Sequence, residues 1–187
     1  MILMFILRKN RKAPYLYAGT LAICITTNIF LLNSIHFNLS FSILTVFIVV
    51  MLSFLFFMLD FFILNMITQK VILIDLSYYF KGKVHFPAFF LSLIIGIQEE
   101  LLFRYYLFQD NDYSALLLLF LGSICFGLIH ISFSYYDVFS KAILSLICGV
   151  IFLLTNSILL SILFHGIYNY LTLKNKSSKS EVVTVAS

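Results

Sequence analysis

The sequence predicts an all-α, polytopic transmembrane helical bundle of about six spans with both termini cytoplasmic, and three observations carry that prediction. The 187 residues are 62% hydrophobic and only 11% charged, against roughly a quarter charged in soluble domains. The mean hydropathy is +1.06. The basic residues fall in short clusters between apolar runs, not along one face, so the formal charge of +4 reports topology and argues against a nucleic-acid partner.

A helix needs about 20 mostly apolar residues to cross the hydrocarbon core. Six stretches supply them, at roughly 14–34, 41–67, 86–108, 115–134, 138–155 and 157–173. Before the first, the apolar start Met1 to Leu7 precedes the basic cluster Arg8, Lys9, Arg11 and Lys12. A cleavable signal peptide has the opposite order, so the first span is expected to stay in the mature protein. Between the second and third, Val71 to Val84 carries Asp75, Tyr78 and Tyr79 amid apolar residues and reads as an interfacial segment. Only Thr155-Asn156-Ser157 separates the fifth span from the sixth, which predicts a tight helical hairpin. The resulting organisation is a basic cytoplasmic N-terminus (1–13), an N-terminal membrane region with the interfacial segment (14–85), a membrane core (86–173) and a polar, Ser-rich tail expected to be disordered (174–187).

Lys and Arg accumulate on the cytoplasmic side of membrane proteins. The six-span map puts eleven of the twelve on one side, including Lys70, Lys81, Lys83, Lys141, Lys174, Lys176 and Lys179. A multi-pass protein of a cell membrane, bacterial in view of its size and sparse loops, is the expectation. Cys24, Cys125 and Cys148 are scattered through apolar stretches, which offers neither a disulfide framework nor a CxxC motif.

An ionisable group inside a span costs at least about 2.5–3.5 kcal/mol on insertion scales, so each one asks for a reason. The third span holds Glu99, Glu100 and Arg104. Glu100 and Arg104 are four apart, acid first, and should pair across one helical turn; Glu99 points elsewhere and is left for proton transfer. The fourth span adds Phe126 and His130, again four apart and on one face, and the sixth adds His165 and Asn169 at the same spacing. His36 and His85 fall in polar connections. Asp60, the remaining charge within a span, is expected to be structural, reaching Lys70 or interfacial water.

Hydrolysis of an amide fits this set. Glu99, helped by His130, would take a proton from water, and His165 and Asn169 would donate hydrogen bonds to the oxyanion. No cofactor is needed. Zinc is the alternative, because Glu99, His130 and His165 form a one-carboxylate, two-histidine set, although no HExxH is present. Straight helices leave a conflict: a rise of 1.5 Å per residue puts Glu99 roughly 20 Å, His165 roughly 13 Å and His130 about 6 Å from the cytoplasmic end. Its resolution requires a tilted or offset third helix and a fourth that continues through Ser132 to Tyr136.

Three motifs, EExxxR at Glu99 to Arg104, FxxxH at Phe126 to His130 and HxxxN at His165 to Asn169, resemble those of the CAAX protease and bacteriocin-processing (CPBP or Abi) family. They cover about 70 residues, each in an apolar span. The resemblance implies an intramembrane endopeptidase with Glu99 and His130 activating water and His165 with Asn169 forming the oxyanion hole; Glu100, Arg104 and Phe126 would support them. Both metal-dependent and metal-free mechanisms belong to what it implies. The expected partners are the lipid bilayer and a membrane-associated peptide, such as a bacteriocin or pheromone precursor. The competing expectations are a non-catalytic bacteriocin-immunity or assembly protein and a small proton-coupled carrier.

Overall fold

The computed structural model describes residues 19, 22, 23, 26, 41–69, 86–108, 114–131 and 135–185, with side chains at all of these except 68, 69 and 175–185. Among them the chain is helical, with no strand. In order run α1 (Ile43–Gln69), α2 (Phe86–Glu100, continued by a wide π-turn at Leu101–Tyr106), α3 (Ala115–Ile129), α4 (Tyr135–Thr155) and α5 (Ile158–Val185). Among the described residues, three helical segments, Ile43–Ile67, Phe86–Tyr106 and Tyr135–Thr155, are long and apolar enough to cross a membrane, and Ala115–Ile129 is apolar but shorter. All but four residues of the expected first span lie outside the described residues, as do the interfacial segment, His36, His85, and the basic residues Arg8 to Lys12 and Lys70 to Lys83 used to orient the chain.

Local chemistry explains the helix ends. Ser42 caps α1, its hydroxyl accepting the Thr45 amide at 3.1 Å. Pro87 sits in the first turn of α2, where no intrahelical donor is needed. The step from α4 to α5 is the tight hairpin expected from Thr155-Asn156-Ser157. There Asn156 adopts φ 49°, a left-handed geometry that asparagine tolerates, and its amide closes on the Phe152 carbonyl at 2.7 Å. Two expectations are corrected. The fourth span does not continue to 134: α3 ends at Ile129, with His130 at φ −92° and ψ 2° and its amide on the Gly127 carbonyl. The backbone of α5 is helical to Val185 rather than giving way at 174; from Ile167 onward there is no glycine or proline to break it.

The exterior of the bundle is apolar. Ile43, Leu44, Phe47 and Met51 of α1, Leu116 and Phe120 of α3 and Leu154 of α4 are exposed, the surface a lipid solvent demands. With lipid as apolar as leucine outside, helix association rests on close packing and interhelical hydrogen bonds. Both are present. A Cβ on Gly127 would lie 2.5 Å from the Val138 carbonyl, so α3 and α4 meet backbone to backbone only because this residue is glycine. Ser53 of α1 donates to the Phe164 carbonyl of α5, and Ser161 of α5 to the Cys148 carbonyl of α4. Phe56, Phe57, Leu144, Cys148, Leu160, Phe164 and Tyr168 fill the core among α1, α4 and α5.

Candidate active site

Helix α2 brings Gly96, Glu99 and Glu100 against α5, and its π-turn carries Arg104 inward. Glu99 and Glu100 are 2% and 0% exposed, Arg104 and His165 1% each. Such burial is tolerable only if the charges meet one another. Arg104 Nη1 stands 3.2 Å from Glu100 Oε1, the acid-first pair expected from the spacing. The contact is Coulombic: Nη1 is not aligned for a hydrogen bond. Nη2 is, and donates to the Ser145 carbonyl of α4 at 2.9 Å. The guanidinium also lies over the Phe126 ring, 5.2 Å from its centroid.

The two carboxylates differ. Glu100 Oε1 takes a 2.7 Å hydrogen bond from His165 Nδ1, a partnership the spacing did not reveal because the residues lie 65 apart in the chain. Glu99 instead lies between two imidazoles, with Oε1 3.8 Å from His130 Nε2 and Oε2 3.7 Å from His165 Nε2. Those distances exceed a direct hydrogen bond and suit bridging by water. His130, leaving α3 in a turn, stands 3.8 Å from Glu99, so the two side chains share one level of the bundle without the expected continuation of α3.

The tautomer of His130 follows from its other nitrogen. Nδ1 is 2.8 Å from the Phe126 carbonyl, which can only accept, so Nδ1 carries a proton and Nε2 is the ring nitrogen that faces Glu99. Phe126 is fully buried and its ring contacts both histidines, with centroids 4.9 Å from His130 and 6.0 Å from His165. Asn169, one turn beyond His165, is half-buried, and its Nδ2 is 3.5 Å from where a Gly96 Cβ would be. All seven residues singled out from the sequence therefore belong to one cluster. The contributions of Gly96, Lys141 and Ser145 were missed; glycine next to a charged pair was the one signal available.

Among the described residues, one grouping brings three metal-ligand atoms together, and it is not the set expected for zinc. Glu100, Cys148 and His165 converge within 4.8 Å, but Arg104 and His165 already engage Glu100 Oε1. Glu99, His130 and His165, the set named for zinc, have Nε2 atoms approaching opposite oxygens of one carboxylate.

Asp60, by contrast, sits in a closed polar hub. Tyr136 and Ser140 of α4 donate to Oδ1 at 2.7 and 2.5 Å, and Tyr168 of α5 donates to Oδ2 at 2.8 Å. Of the expected partners, Lys70 lies outside the described residues; among those described, three hydroxyls serve the carboxylate. Beside the main site, an apolar groove of about 520 Å³ follows the seam of α2 and α5, lined by Phe89, Leu93, Leu163, Gly166, Ile167 and Tyr170 among others.

Residues 82–171 match the family model described as Rce1-like, type II CAAX prenyl endopeptidase. The match takes in all three motifs and nearly all of the expected membrane core. No curated protein and no solved structure matches the chain.

Proposed function

For a chain whose residues 82–171 belong to the Rce1-like, type II CAAX prenyl endopeptidase family, we propose that it cleaves a peptide bond in a membrane-associated peptide by water activated at Glu99 and His130. The observation that carries this reading is the buried Glu99 carboxylate standing 3.8 Å from Nε2 of His130, whose Nδ1 is engaged by the Phe126 carbonyl; with that ring neutral, Nε2 accepts. Two acceptors at that separation take both protons of one water and leave its oxygen lone pair directed outward. Glu99 removes one proton as the oxygen attacks the carbonyl carbon. When the tetrahedral intermediate collapses, the C–N bond breaks and Glu99 returns that proton to the leaving amine, the two roles expected of one general acid–base.

The oxyanion needs donors. Asn169 Nδ2 supplies one. His165 supplies another if Nε2 is protonated, and since Nδ1–H is given to Glu100, His165 then works as an imidazolium. The charges balance in that state: Glu99 and Glu100 against Arg104 and His165. Glu100, Arg104 and Phe126 hold this arrangement, and the α2–α5 groove accommodates the apolar part of the substrate. Bacteriocin or pheromone precursors and prenylated C-terminal peptides are the substrate classes to compare, and a bacterial plasma membrane is the proposed location.

Zinc is a second reading, favoured by one observation: both imidazoles place Nδ1 against an oxygen and Nε2 toward Glu99, the orientation that outer partners impose on metal-bound histidines. Glu99, His130 and His165 would hold the ion, which would polarise the water and the carbonyl. The protein in liposomes, given a farnesylated C-a-a-X peptide and an apolar leader peptide in H₂¹⁸O, tests the function. Mass spectrometry should show a new C-terminus carrying one ¹⁸O from one of the two; intact peptides in both arms would contradict hydrolysis. Persistence of cleavage after chelation supports the metal-free reading, and loss restored by zinc supports the second.

A further inference from the structure

Asn169 can serve the oxyanion only if its amide faces the right way, because one end donates and the other accepts. A rotation by half a turn about the terminal bond would present Oδ1 to the developing negative charge and repel it. Something must set the choice. Lys141, half-buried on α4, places Nζ 3.5 Å from Asn169 Oδ1. An ammonium has three donors and no acceptor, so it can pair with the oxygen end alone. The distance is at the long limit of a hydrogen bond, and the contact works chiefly as charge against dipole. Nζ is itself held over the Tyr168 ring, 4.7 Å from the centroid, and Tyr168 is 2% exposed in the core.

With Oδ1 so engaged, Nδ2 turns toward α2. There Gly96 leaves room: a point in its Cβ position is 3.5 Å from Asn169 Nδ2 and 4.0 Å from the His165 ring. Those are ordinary contact distances, so an alanine would fit without strain and would fill the space that borders both donors.

Resting on the endopeptidase reading, we propose that Lys141 is a positioning residue that fixes the Asn169 amide with its NH₂ toward a carbonyl subsite kept open by Gly96. The lysine does not touch the substrate; it acts through Asn169. Its removal should therefore lower kcat more than it raises KM, and should cost nothing where Asn169 is already absent.

The test uses the full chain in liposomes with an internally quenched, farnesylated C-a-a-X peptide. Lys141→Met should lower kcat about tenfold with KM within about twofold, less than the loss for removing a direct oxyanion donor. Lys141→Arg should recover most of the activity. In an Asn169→Ala background, Lys141→Met should change kcat by less than about twofold, the non-additivity of residues acting as a unit. Gly96→Ala should fold normally and lose kcat. Equal tenfold losses in both backgrounds, or a rise in KM alone, would overturn the proposal. If the wild type leaves this peptide intact, the endopeptidase reading is not supported by that probe, and the contact is read separately from the ¹⁵N-labelled Asn169 side-chain signal. A shift in Lys141→Met supports the contact; an unchanged signal overturns it.

Discussion

Asp60 and Glu99 are both carboxylates inside apolar helices, yet their surroundings differ in kind. Three neutral hydroxyls donate to Asp60 at 2.5 to 2.8 Å, and neither imidazole nor a second carboxylate is among these donors. Glu99 faces two imidazoles at 3.7 and 3.8 Å, side chains that can both give and take a proton. Burial alone does not mark chemistry. What distinguishes the two sites is whether the neighbours close the carboxylate off at hydrogen-bond distance or leave space for a reacting molecule beside a second titratable group.

Substitutions at the two sites should separate along that line. The largest effect is expected for Glu99→Gln, which keeps shape but removes the base: cleavage of a farnesylated peptide should fall by about 10³-fold, within the span for lost acid–base catalysis, with thermal unfolding little changed. Asn169→Ala should cost about 10²-fold in kcat, measured in the same assay, as loss of one oxyanion donor does. At the other site the expected loss is in stability. Asp60→Ala strands three hydroxyls and should lower the unfolding free energy by roughly 2 kcal/mol, counting about 0.6 kcal/mol for each intramembrane bond. Tyr136→Phe removes one of the three and should cost about 0.6 kcal/mol by detergent unfolding, with kcat unaffected.

Much of the bundle was legible because it depends on local signals. Hydropathy located the apolar segment that begins at Phe86 and the start of the helix at Ile158, and the Asn156 turn was visible as a polar step. The Glu100–Arg104 pair could be read from an i, i+4 spacing. Contacts between helices could not. The Glu100–His165 bond, the hydroxyls around Asp60 and the approach of Lys141 to Asn169 join residues 28 to 108 apart, and no periodicity encodes which faces will meet. Lys141 illustrates the cost: as a sequence feature it marked the cytoplasmic side, whereas its half-buried ammonium lies beside Tyr168 and Asn169. The end of α3 was missed for a different reason. Nothing apolar stops at Ile129, and the turn at His130 is set by the Gly127 contact with α4.

The most direct test of the central claim places Glu99→Gln and Asp60→Asn side by side in liposomes, with peptide cleavage and thermal unfolding measured on each. The account predicts a crossed result: Glu99→Gln abolishes cleavage at unchanged stability, while Asp60→Asn lowers the unfolding temperature and keeps cleavage per folded molecule within about threefold. Cleavage that survives Glu99→Gln would contradict it.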